Sequence, residues 1–191
     1  MKLYFKGEYD GNPDSLPCRE HHPNANPLDN EGDDDDKFMY RLNFISIIID
    51  VVIFLLFYKI SGGKSFDMNG VFLSLLSLIP HELLHAICFK DEVFVYFWKE
   101  KLSMFVVGTE SMSKMRFIIM SLLPNFIFGF LPFIIYIFNP TMTLLGSMGV
   151  FTIGMGVVDY YNVIKVIKRM PNGAKVYLYK FKSYWYMIEN Q

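Results

Sequence analysis

Charge is scarce in this chain. Asp, Glu, Lys and Arg make up 19% of its 191 residues and apolar residues 52%, whereas roughly a quarter of an ordinary soluble domain is charged. That shortage argues against a simple water-soluble domain. Cysteine is nearly absent: the two present, Cys18 and Cys88, lie in a polar and an apolar segment and make no disulfide framework. No basic stripe alternates with aromatics, and the net charge is -1, so no nucleic-acid partner is expected. The opening MKLYFKGEYDGNPDSLP holds no apolar run, so no secretory signal is expected there.

Long hydrophobic runs are abundant. Four cover roughly residues 42–60, 69–89, 116–138 and 142–164, each near the ~20 residues a helix needs to cross a bilayer. The spacing predicts an all-α membrane protein: four transmembrane helices, with a small β-hairpin between the second and third. The hairpin is read from Val93–Trp98, which is β-branched and aromatic, then Lys99-Glu100-Lys101, then apolar Leu102–Val107. There it either offers an edge strand that pairs with an extended peptide or is a self-contained hairpin that only covers the bundle. Residues 1–38, with GNPDSLP, HHPNANP and the acidic run Asp33–Asp36, read as an irregular polar cytosolic arm. Residues 39–170 read as the membrane domain and 171–191 as a cytosolic C-terminal tail. Basic residues decide orientation. Lys90, Lys99, Lys101, Lys114 and Arg116 lie in one connection and Lys165, Lys168, Arg169, Lys175, Lys180 and Lys182 follow the last run, against Lys59 and Lys64 opposite. Both termini and the 90–115 connection are expected on the cytosolic side of a cell membrane, with the lipid bilayer as first partner.

Inside the second run stands IPHELLHAICF, residues 79–89. Ionisable groups within a membrane helix are costly and seldom occur without a task. On a helix, His81 and His85 fall on one face a turn apart and can chelate a single Zn2+, with Glu82 beside them to act as a base. A catalytic zinc needs a third protein ligand at the same depth. At about 1.5 Å per residue, the two histidines lie roughly 6–13 Å in from the cytosolic end of their run, Asp159 about 9 Å, and Asp50 and Asn125 about 13 Å. The second and fourth runs share a direction, so Asp159 is the preferred third ligand. Asp50 is its rival, or else structural. Asn162 is placed to orient the Asp159 carboxylate. Asn125 either meets a substrate carbonyl or satisfies backbone freed by Pro124. Pro80 would kink the helix before the motif.

The stretches PHELLHA, SKMRFIIMSLLPN and VVDYYNVIKVIKRMPNGAKV, with the short polar arm and the strand-like connection, resemble the zincin-peptidase family DUF3267, small bacterial membrane proteins. More distantly the chain is similar to site-2 proteases, although Leu84 and Tyr160 stand where those enzymes usually carry glycine. The resemblance implies His81, His85 and Asp159 as metal ligands and Glu82 as base. The expected function is a zinc-dependent intramembrane metalloprotease acting on a membrane-associated peptide or protein. Two alternatives stand beside it: a non-catalytic metal-binding membrane protein serving as sensor, partner or immunity-type factor, for which Glu82 is unnecessary, and a structural subunit without metal. Oligomeric state is not legible in the sequence.

Overall fold

A computed structural model describes residues 1–28, 35–63 and 66–188, with residues 35 and 36 as backbone only. The side chains of the acidic run and Lys64 lie outside the described residues. The chain divides into two compact units. One comprises Met1–Asp33, Glu82–Ser121 and Asn162–Gln191; the other comprises Asp34–His81 and Leu122–Tyr161.

The second unit is helical. It draws on α1 (Asp35–Ile60), α2 (Met68–Leu76), α3 (Leu78–Ile87), α4 (Lys114–Asn125), α5 (Leu131–Phe138), α6 (Thr143–Met155) and α7 (Val157–Arg169), with a π-helical turn at Phe126–Phe130 between α4 and α5. Its boundaries fall inside α3, α4 and α7, so these helices are shared with the first unit. Asp67 caps α2, its carboxylate accepting from the Asn69 amide at 2.9 Å. The core is aromatic: Phe57, Phe133 and Tyr136 pack with Val150 and Ile153. Tyr136 is fully buried and donates its hydroxyl to the Phe57 carbonyl at 3.1 Å, which removes the cost of burying that polar tip.

The first unit is built on two sheets. β3 (Glu92–Trp98) lies between β1 (Lys2–Glu8), parallel to it, and β4 (Ser103–Gly108), antiparallel. Val93, Phe94, Val95 and Tyr96 are all buried, so β3 is covered on both faces, which is why it reads as an unbroken apolar run rather than an alternating one. The other sheet has the order β2 (Asn26–Pro27), β7 (Lys182–Met187), β6 (Ala174–Tyr179), β5 (Met112–Ser113). Leu28, Met112, Val166, Met170, Ala174 and Val176 form its core. Each fully buried Val or Leu there contributes roughly 1.5–3 kcal/mol relative to exposure.

Two expectations are overturned. The protein is not all-α with a single hairpin, because among the described residues seven strands form two sheets. The segment read as an irregular arm supplies β1 and β2, and the tail supplies β6 and β7. β1 was hidden by its lysines, which suit an exposed edge strand and discourage stray pairing. Nor are four continuous apolar helices of spanning length present among the described residues. Three helices, Lys37–Ile60, Met68–Ile87 and Lys114–Phe138, are long and apolar enough to cross a membrane, while the fourth run is a pair, α6 and α7, bent by 51°. The break falls at Gly154-Met155-Gly156, where α6 is capped by Gly156. The hairpin also differs in detail: β1 covers one side of β3, so β1 and β4 are the two edge strands of the sheet.

Candidate metal centre

α3 carries the motif. Ser77 ends α2 and the chain re-enters a helix at Leu78, with the His81 amide donating to the Ser77 carbonyl at 2.9 Å. Pro80 thus sits in the first turn of α3, where a missing amide hydrogen costs nothing. One turn separates His81 from His85 along this single helix, so both imidazoles share a face.

Within the helical unit, His81 Nε2 lies 3.3 Å from Asp159 Oδ2, the side chains being 13% and 17% exposed. Asp159 stands in the first turn of α7, where the helix dipole favours a carboxylate. Asn125 has no exposed surface and donates from Nδ2 to Asp159 Oδ2 at 2.7 Å. Asn125 ends α4, directly after Pro124 and before the π-helical turn. Such turns arise where the regular hydrogen-bond ladder is broken. Here the break brings an amide side chain onto the carboxylate.

His85 Nδ1 lies 2.9 Å from the Met120 carbonyl. A carbonyl only accepts, so the ring proton is on Nδ1 and the lone pair on Nε2. One nitrogen of each histidine and one Asp159 oxygen all lie within 4.8 Å of one another. Two imidazoles and a carboxylate are a donor set that suits zinc. Glu82 follows His81 directly and is partly exposed.

The bend that starts α7 is held by side chains. Ser46 Oγ donates to the Gly154 carbonyl at 2.8 Å, and the Tyr160 hydroxyl to the Ile153 carbonyl at 3.0 Å. A helix interruption in an apolar setting survives when its freed carbonyls are satisfied in this way. A Cβ at Gly154 would collide with the Asp50 carboxylate, and one at Gly156 with Asn125. Asp50, the rival ligand, therefore packs on the Gly154 backbone and stands outside the three-residue cluster. Asn162 lies one turn beyond Asp159, but the amide that reaches the carboxylate is that of Asn125. The glycines at 154 and 156 were the available signal: with Pro124, they mark where two helices are interrupted and approach closely.

An HExxH sequence on α3, with two histidines and an aspartate whose donor atoms converge, is the arrangement of a candidate metallopeptidase centre. The chain belongs to the family DUF3267, described as "Putative zincin peptidase", whose model matches residues 74–175, more than half of the chain. That span includes the motif and Asp159. No curated protein and no solved structure matches the chain.

Proposed function

We propose that the protein is a zinc-dependent peptidase of the membrane, with His81, His85 and Asp159 as the ligands and Glu82 as the base. The observation that carries this reading is the meeting of three donor atoms within 4.8 Å on and beside the helix that bears Glu82. When bound, zinc supplies a Lewis acid that polarises a peptide carbonyl and brings the pKa of a water to about 7. His85 offers Nε2, its ring held by the Met120 carbonyl through Nδ1. Asn125 fixes the Asp159 carboxylate through Oδ2, the kind of outer contact that orients a ligand. Glu82 accepts a proton from water as its oxygen adds to the carbonyl carbon. It then returns that proton to the amine nitrogen as the C–N bond breaks.

The substrate is a peptide or protein held at the membrane. β4 is an edge strand of its sheet, and an extended segment would add there through main-chain hydrogen bonds. Both termini and the 90–115 connection share the cytosolic side of a cell membrane. Strand pairing supports this, since β1 joins β3 and β5 joins β6, so the arm, connection and tail lie together.

The test is zinc content and hydrolysis of a membrane-bound peptide library by the purified protein. Glu82→Gln should retain zinc and lose activity by at least 100-fold, as expected for a general base; His81→Ala should lose zinc. Equal hydrolysis by wild type and Glu82→Gln sinks the base assignment. Zinc retained with no hydrolysis by either favours the non-catalytic metal-binding alternative.

A further inference from the structure

The proposed ligands sit on two helices, α3 and α7, and both helices end against the first turn of a third. Arg116, in α4, donates from Nε at 2.8 Å and from Nη2 at 2.5 Å to the carbonyl of Cys88, the residue just past the end of α3. Lys114, two residues earlier, donates from Nζ to the Ile167 carbonyl at 3.2 Å and the Met170 carbonyl at 2.6 Å, at the end of α7. Cations at helix C-termini satisfy orphan carbonyls and complement the dipole. Arg116 is itself held by Glu110, which pairs with it and also accepts the amides of Lys90 at 2.9 Å and Asp91 at 3.2 Å. The Glu110 side chain is only 8% exposed, and a charge pair so sheltered is costly to break from one side. Four residues on from Arg116, the Met120 carbonyl accepts a hydrogen bond from His85 Nδ1. α4 thus grips α3 at two points, one of them a proposed ligand.

We propose that Lys114 and Arg116 are positioning residues: a paired cationic cap that fixes the axial register of α3 and α7 against α4, and through it the aim of His85 and the depth of Asp159. This rests on the metal-site reading above. Neither cation touches the metal or substrate, so each acts through a helix end. A lysine at 116 would keep the charge but lose the fork that serves Cys88 and Glu110 together.

The experiment uses the full chain in lipid nanodiscs, with zinc affinity from competition titration and the visible spectrum of the cobalt(II)-loaded protein. Arg116→Gln should weaken zinc binding about 10-fold or more, the low end of losses seen for outer supports of metal ligands, and shift the cobalt bands. Lys114→Gln should weaken it less, and Arg116→Lys should recover part of the loss. Lys168→Gln removes the same charge from an exposed position on α7 and should change neither readout. Circular dichroism checks that each variant keeps its helix content; if Arg116→Gln does not, Lys114→Gln decides alone. Wild-type affinity and an unchanged cobalt spectrum in the cap variants overturn the proposal. A wild type that binds no zinc instead overturns the metal reading beneath it.

Discussion

The two units solve opposite packing problems with the same residue types. In the helical unit, α1 turns Phe44, Ile47, Val52 and Leu55 outward, between 57% and 64% exposed, while Phe57 on the same helix is fully buried. In the sheet unit, a cluster of aromatics goes inward: Tyr9 and Tyr96 are buried with Phe105 and Trp98 packed against them, and lysines line the exposed edge strand β1. An apolar exterior of this kind suits an apolar solvent, where packing and internal hydrogen bonds replace the hydrophobic drive. A charged exterior with an aromatic interior is the pattern water selects. The difference teaches that a surface leucine is uninformative by itself; its meaning depends on which unit displays it.

The harshest way to break this contrast is to put a charge on each exterior. Ile48, 48% exposed on α1, sits near the middle of the Lys37–Ile60 span. Ile48→Asp should cost roughly 2.5–3.5 kcal/mol of insertion free energy, read as loss of protein from the carbonate-resistant membrane fraction. Phe5 in β1 is 71% exposed, and Phe5→Glu should leave that fraction unchanged, since surface changes in water usually stay within about ±0.5 kcal/mol. Equal effects at the two positions would mean that α1 does not face lipid.

A middle-sized effect tests the polar interior of the helical unit. Asn125→Ala removes the donor to Asp159 and should lower zinc affinity about 10–100-fold. Asn162→Ala, on the same helix as Asp159 but not its partner here, should change it by less than about 2-fold. Zinc competition on both variants separates them, and the reverse ranking would restore the assignment made from spacing alone.

The motif was legible because its chemistry is local: His81, Glu82 and His85 meet through the period of one helix. Asp159 was reachable because depth along a run can be counted. Asn125's partner was not, since the carboxylate approaches only where Gly156 lacks a Cβ and a π-helical turn re-aims the amide. Both devices are tertiary. The apolar runs themselves were plain, but the 51° bend in the last rests on two glycines that also suit ordinary helix packing. β1 and β7 escaped notice for a different reason. An edge strand with lysines, and an aromatic strand beyond the last helix, gain their conformation from the neighbours they pair with, and intrinsic β preference is too weak to announce them. Lys114 and Arg116 were read as topology signals. Their role as helix caps depends on where α3 and α7 stop.

The smallest expected effect lies in the sheet unit, where the arm crosses a tyrosine-rich face of β6 and β7. His21 packs among Tyr177, Tyr179 and Tyr184, while His22 stacks on Tyr186 with ring centroids 4.3 Å apart. The Tyr177 hydroxyl ties the two together. It accepts from the His22 amide at 3.1 Å and pairs with His21 Nδ1 at 3.0 Å. Tyr177→Phe keeps the ring and its burial but leaves the His22 amide without this acceptor. A net loss of about 0.5–1.5 kcal/mol follows from the hydrogen bonding alone, too little to unfold the sheet. Limited proteolysis should therefore cut the arm several-fold faster near residues 18–25 while the membrane-extracted fraction and zinc affinity stay at wild-type values. Were zinc affinity to fall with it, the tyrosine face would belong to the metal centre, and the separation of labour between the two units would have to be redrawn.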